Sequence, residues 1–401
     1  MKKAIKLICL ALCVVMTLGC FASCGSKSEG SKGDGKTIVI GSTGPLTGDA
    51  AIYGMAVKNA AELAVKEVND SKELGDIKLE FKIEDDVADA EKSVPAYNKL
   101  KDDGMKIFLG TVTTAACLSV IDKTKQDNMF QLTPSASAAN VIANDNCFQV
   151  CFTDPNQGKK SADYIADNKV ASKVAVIYDS SDAYSSGVYN TFKSEAASKG
   201  LNVVSETSFT KDNKTDFSAQ IGDAKSKGAE LVFLPIYYSE AAQILNQAKK
   251  AGLEAKFFGC DGLDGILTMK NFDTSLAEGV MLLTPFAADA QDDMTKTFVS
   301  NYEAAYGDVP NQFAADAYDA IYIMKAAGEK AGITADMSVS DMSDAMKKAM
   351  TEITYDGLTG TGMTWDADGE PTKDPKAVVI AIEEVTNDDG TTSLSGSYKA
   401  M

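Results

Sequence analysis

Thr37-Ile38-Val39-Ile40, followed beyond a glycine-bearing loop by Val57, Ala61, Ala64 and Val68, decides the fold. The first stretch is a β-branched run too short for a helix, and the second repeats at helical spacing, so together they make a βα unit. The rhythm continues with strand patterns at 78–84, 106–110 and 129–132, separated by helical patterns near 89–103 and 114–127. A second series begins after Asp154-Pro155, with strands at Lys173-Val174-Ala175-Val176-Ile177-Tyr178, 201–208, Leu231-Val232-Phe233-Leu234 and 256–259. Helical patterns near 157–169, 183–199, 216–227 and 239–251 fill its gaps. Two such series predict an α/β protein of two similar, doubly wound parallel-sheet lobes. The length of 401 residues also exceeds what one core usually organises.

Beyond the second series come helical patterns at 290–306 and 311–331 and short strand patterns around 361–365 and 377–383. These late pieces need a sheet to join, so the chain is expected to cross back between lobes through a multi-strand hinge. The expected division is 36–154 plus 286–374 for the first lobe and 155–285 plus 375–401 for the second.

Lys2, Lys3 and Lys6 precede an apolar run from Leu7 to Gly19, the grammar of an export signal, here residues 1–23. The run is shorter than the roughly 20 residues a membrane-spanning helix needs. Phe21-Ala22-Ser23-Cys24 resembles a bacterial lipobox, which implies a lipid on Cys24; Cys20 is a competing site, and a cleaved signal without lipid is the plainer alternative. Residues 24–35 lack apolar side chains after the cysteine and read as a flexible tether. The expected location is the extracytoplasmic face of the cell membrane, touched only through that lipid.

Composition excludes several chemistries. All 39 basic residues are lysine, and the chain has neither histidine nor arginine. No imidazole means no Ser/His or Cys/His nucleophile pair and no ordinary catalytic zinc site, and no guanidinium means no bidentate clamp on a carboxylate. A net charge of -18 opposes binding to nucleic acid. No cofactor, metal or catalytic residue is expected. Of the cysteines past the leader, Cys147 and Cys151 would lie about 13 Å apart on one strand, too far for a disulfide; pairing among Cys117, Cys147, Cys151 and Cys260 otherwise stays open beside the reading of buried thiols.

In parallel sheets ligands bind beyond the carboxyl ends of the strands. The loop from Gly41 to Gly54, containing Tyr53, has neither GxGxxG spacing nor a Gly-Lys-Ser/Thr end, which disfavours a nucleotide. Gly110-Thr111-Val112-Thr113-Thr114 and Thr133-Pro134-Ser135-Ala136-Ser137 put hydroxyls where helices begin. Each could be a helix cap, but two such starts side by side would receive a carboxylate without arginine. Tyr184, Tyr237 and Asp261 stand at strand exits of the second series, where Asp261 is either a turn residue or an acid facing an ammonium group.

Taken together, these loops are similar to the type I solute-binding proteins of ABC importers, the leucine/isoleucine/valine-binding family. The resemblance spans nearly the whole mature chain and rests on Gly44-Pro45 with Tyr53-Gly54, the two hydroxyl loops, Asp154 with Gln157-Gly158, Asp179 with Tyr184, Tyr237 with Glu240, Asp261-Gly262, and Thr364-Trp365-Asp366 with Gly369. It implies that Thr114 and the Ser137 backbone hold an α-carboxylate. The Ser135 carbonyl, the Ser137 hydroxyl and Asp261 would hold the α-ammonium, and Tyr184 and Tyr237 would close from the second lobe. Tyr53, Val112 and Phe313 would line the side-chain pocket beside Thr113. The family often carries glutamate where this chain has Asp261, which loosens the inference to one amino acid. The implied protein is a monomeric, non-enzymatic receptor that captures a small, aliphatic amino acid and delivers it to a permease and its ATPase subunits. The alternatives are a different solute, such as an amide or an aromatic acid, the sensing domain of a signalling receptor, which would need a membrane helix and effector that this sequence does not show, or a dinucleotide enzyme on a doubly wound fold.

Overall fold

The β-branched run at 37–40 opens strand β1 (Thr37–Gly44), and the alanine-valine periodicity forms helix α1 (Ala51–Ser71), whose Val57, Ala60, Ala61, Ala64 and Val68 are buried. The structure is a computed structural model that describes residues 36–386 and 392–401. The expected export signal, Cys24 and the tether lie outside the described residues. In α1, Gly54 is required by a close approach, since a Cβ there would lie 2.0 Å from the Pro45 carbonyl oxygen. That contact seats the helix directly on the loop leaving β1.

After α1 come β2 (Lys78–Asp85), α2 (Ala90–Asp102), β3 (Ile107–Thr111), α3 (Thr114–Gln126), β4 (Gln131–Thr133) and β5 (Cys147–Gln149). The five strands form one parallel sheet in the order β2-β1-β3-β4-β5. The second lobe repeats the pattern with α4 (Asp154–Asp167), β6 (Lys173–Asp179), α5 (Ala183–Ser198), β7 (Asn202–Phe209), α6 (Ser218–Ser226), β8 (Leu231–Leu234), α7 (Tyr238–Ala251), β9 (Lys256–Gly259) and β10 (Met281–Thr284). Its strands run β7-β6-β8-β9-β10, parallel and in the same winding order as the first sheet. Two lobes with matched switch points therefore face each other, as the double βα series predicts.

The chain then adds α8 (Asp293–Tyr306), α9 (Gln312–Ala331) and α10 (Val339–Met350), with α8 and α9 packed on α1 and α10 on α9. It returns to the second sheet as β11 (Lys376–Thr386) and β12 (Thr392–Ala400). These two strands add an antiparallel edge to the parallel second sheet, since β11 pairs antiparallel to β10 and β12 antiparallel to β11. A strand that arrives from the other lobe needs no helical crossover, so either direction is open to it. The expected strand at 361–365 is corrected: the segment makes only single bridges, Tyr355 to Met363 and Trp365 to Pro371. Gly362 and Gly369 have φ of 65° and 81°, and with Pro371 they break any longer ladder.

That segment fastens the hinge. Trp365 Nε1 donates to the Gln149 carbonyl at 2.7 Å, and Gln149 N donates to the Gly369 carbonyl at 3.0 Å, so the exposed edge of β5 is covered. Lys373, whose side chain is wholly buried, bonds Asp316 Oδ1 of α9, the Thr359 hydroxyl at 2.7 Å and the Val150 carbonyl at 3.1 Å. Two connecting segments are thereby tied to one helix. No described helix is long and apolar enough to cross a membrane.

Cys117, Cys147, Cys151 and Cys260 are free and buried, which decides the question left open above. Burial pushes the Cys117 thiol up to about 11 and Cys147 up to about 12, so thiolate is scarce at neutral pH. A thiol reagent such as DTNB should leave these four unmodified in the native protein and label all of them in denaturant; fast labelling of the native form would contradict the packing.

Candidate ligand-binding cleft

The candidate residues meet in one cavity. Tyr53, Val112, Thr113, Thr114, Ser135, Ser137, Tyr184, Tyr237, Asp261 and Phe313, joined by Gly262, line a space of about 20 Å³ between the lobes. That is little more than one water position, so a larger solute enters only when the lobes part.

The first lobe contributes the end suited to an anion. Helix α3 follows β3 directly, with Thr113 at its N-cap making no side-chain cap bond. The amides of the first turn point out of the helix, and the buried Thr113 hydroxyl has no partner among the described residues. Thr114 Oγ1 accepts from Ser137 N at 3.1 Å, so the two expected carboxylate contacts are engaged with each other here. Ser135 Oγ donates to the Val112 carbonyl at 2.6 Å, which locks the two hydroxyl loops side by side.

The second lobe contributes the end suited to a cation. Asp261 opens a 3-10 turn after β9 and is 4% exposed. Its Oδ2 accepts from Gln157 Nε2 at 2.9 Å, whereas Oδ1 is buried with no hydrogen-bond partner among the described residues. Burial pushes this carboxyl up from 3.8 to about 7, against the Tyr184 hydroxyl and Gln157, which favour the charged form. The Tyr184 hydroxyl accepts from Gly262 N at 3.1 Å, and its ring stacks on Tyr237 at 5.3 Å. Gly262 admits no side chain, because a Cβ would lie 2.6 Å from the Ile236 carbonyl oxygen.

Tyr53 joins the two sides. Its hydroxyl donates to the Gly262 carbonyl at 2.5 Å and accepts from Tyr238 N at 3.1 Å. Its ring packs on Phe313 at 4.4 Å and edge-on to Tyr237 at 5.5 Å. At the cleft mouth, Lys214 pairs with Asp49 of the first lobe at 2.7 Å and with Glu240 at 3.1 Å.

Sequence reasoning gave no role to Gln157, which clamps Asp261, or to Asp154, which is 1% exposed and donates its N–H to the Ser137 carbonyl at 2.8 Å. Burial pushes the Asp154 carboxyl well above its usual range. Their signal was the Asp154, Gln157-Gly158 grouping, visible as a pattern but silent on direction. Among the described residues no group of acidic and cysteine side chains is arranged to hold a metal ion.

The periplasmic binding protein family model matches residues 37–386. The chain belongs to that family. This binding protein is 33% identical over 317 residues to Leu/Ile/Val-binding protein homolog 3 of Brucella melitensis, covering 78% of its own length and 83% of the relative's. It is 29% identical over 298 residues to the leucine-, isoleucine-, valine-, threonine-, and alanine-binding protein of Pseudomonas aeruginosa, covering 74% and 79% of the two chains. Among solved structures it matches the branched-chain amino acid transporter substrate binding protein LivJ of Streptococcus pneumoniae, in complex with isoleucine, with a TM-score of 0.77, 23% identity, and 91% and 100% of the two chains covered. It also matches a solute binding protein of Rhodopseudomonas palustris in complex with benzoate, with a TM-score of 0.75, 19% identity, and 91% and 97% covered. At these identities the structural likenesses speak for the fold alone, which is that of the two-lobed solute receptors.

Proposed function

We propose that this binding protein captures an α-amino acid with an aliphatic side chain and hands it to an ABC permease. The observation that carries this reading is Asp261 Oδ1, a buried acceptor with no hydrogen-bond partner among the described residues, on a side chain lining a cavity whose other side holds the uncapped start of α3. A zwitterion satisfies both: its ammonium pairs with Asp261, and its carboxylate takes the helix-start amides and the Thr113 and Thr114 hydroxyls. Tyr53, Val112, Tyr237 and Phe313 then offer apolar surface to the side chain. An aromatic acid without an ammonium would leave Asp261 unpaired, which disfavours a benzoate-like ligand. On this reading the first lobe is 36–154 with 286–374 and the second is 155–285 with 375–401. The receptor works as a monomer on the outer face of the membrane, held by lipid on Cys24, and catalyses no reaction.

A thermal-shift screen of the mature protein against all amino acids, amides and aromatic acids tests this. Leucine, isoleucine or valine should raise the melting temperature, since a ligand at 100 times its Kd adds about 2.7 kcal/mol. Stabilisation by aromatic acids alone would reject the reading.

Acidity should act with opposite signs on the empty and filled receptor. The carboxyl of Asp261 is raised from 3.8 to about 7 when empty, so its contribution to folding stability is full below its ordinary value and is lost as pH rises through about 7. Binding an ammonium needs the carboxylate, so leucine affinity should fall as pH drops below about 7, by up to about tenfold per unit. Calorimetry giving one affinity at pH 5.5 and pH 8 would show that this carboxyl does not face the ligand's charge.

A further inference from the structure

The turn that carries Asp261 also carries a second buried acid, which points at the other lobe. Asp264 is 1% exposed. Its N–H donates to the Asp261 carbonyl at 2.8 Å, and its Oδ1 accepts from Gly265 N at 2.8 Å. Its Oδ2 accepts from Gln312 N at 2.9 Å, across the cleft at the first residue of α9. Asn311, the N-cap of α9, spends its side chain on Ala314 N at 3.1 Å, so the Gln312 N–H is left without an acceptor from the cap of its own helix. Gln312 Nε2 adds a bond to the Asp261 carbonyl at 3.1 Å. The fit is close: Gly265 has φ of 101°, and a Cβ there would lie 2.7 Å from Ile52 of α1.

We propose that Asp264 is a positioning residue for ligand capture, a carboxylate from the second lobe that caps α9 of the first lobe and so holds Asp261 in place when the cleft is shut. This rests on the reading of the cleft as an amino-acid site, in which Asp261 grips the ligand. The division of labour follows from geometry. Asp261 faces the cavity, while Asp264 faces a 20-residue helix whose N-terminal dipole favours an anion. Parting the lobes returns the Gln312 amide to water and leaves the carboxylate with Gly265 N and the Tyr398 hydroxyl of its own lobe, so the Gln312 bond adds to the closed state alone. Its loss should show in how long a ligand is retained, with little effect on how fast it arrives.

The test uses leucine as the probe, stopped-flow kinetics, and the variants Asp264→Asn, Gln312→Ala and Gln312→Pro. Proline suits the first position of a helix, so Gln312→Pro removes the amide that Asp264 bonds, whereas Gln312→Ala removes the side chain only. We expect Asp264→Asn to speed leucine dissociation about tenfold, the size of a lost cap, with association and the ligand-free melting temperature unchanged. Gln312→Pro should exceed Gln312→Ala by a similar factor. An unchanged dissociation rate, or a fall in ligand-free melting temperature with no kinetic change, overturns the proposal. Failure of wild type to bind leucine counts against the amino-acid reading alone. In that case inter-lobe distances between spin labels at Glu91→Cys and Lys211→Cys decide: a shift to longer separations in Asp264→Asn supports the latch, and an unchanged distribution overturns it.

Discussion

Asp261→Ala is expected to weaken leucine binding at least about a hundredfold, because it strands the ligand's ammonium in a site that water cannot refill. Losing one partner of a buried charge pair costs about 3 kcal/mol or more. Asp154 lies behind Ser137 with its carboxyl pushed up by burial, and Glu240 is engaged by Lys214 at the cleft mouth. Asp261→Asn should do little better: an amide that keeps the Gln157 bond turns its own N–H toward the ammonium. The empty protein should respond in the opposite direction. A buried acid with an unpartnered oxygen destabilises the fold that holds it, so Asp261→Ala should leave the ligand-free melting temperature unchanged or raise it. Calorimetry showing equal affinity for the variant and wild type would remove Asp261 from the binding site.

The largest expected effect on stability lies away from the ligand. Lys373→Ala should cost about 3 to 5 kcal/mol in urea unfolding of the ligand-free protein, since it leaves Asp316 buried and uncompensated. The Asp316 carboxyl is already raised by burial, with Lys373 drawing it back. A double replacement, Lys373→Met with Asp316→Leu, should recover most of the loss, because apolar groups of similar size replace buried ion pairs at little cost. If the single variant unfolded at the wild-type midpoint, the pair would have no structural weight.

The alternation of β-branched runs with helical spacing exposed both lobes, because long parallel strands and amphipathic helices write their periods plainly. The cleft was legible for a related reason. Thr114, Ser137, Tyr184, Tyr237 and Asp261 come soon after strand ends and Tyr53 lies at the start of the helix that follows β1, and the winding order of each sheet brings those exits together. Short or solitary features stayed hidden. β5 and β10, of 3 and 4 residues, each follow 3-10 turns and not a full helix, so the alternation does not frame them. α10 repeats Met342, Met346 and Met350 at helical spacing, but serine, aspartate and lysine between them mask the stripe. Lys373 sits in a polar run and looks like any exposed lysine; only folding brings Asp316, Thr359 and Val150 around it. Asp264 was equally opaque, since its partner amide lies 48 residues away.

The anchorage of Lys373 has a mechanical consequence. With Val150 and residue 373 fixed to the same helix, two of the threads joining the halves behave as the stationary leaf of a door, and bending falls to the few residues beyond each fastening. The path of the moving half is thus set far from the pocket. Exchanges at Tyr184, Tyr237 or Phe313 can change which solute is held while the swing itself stays the same.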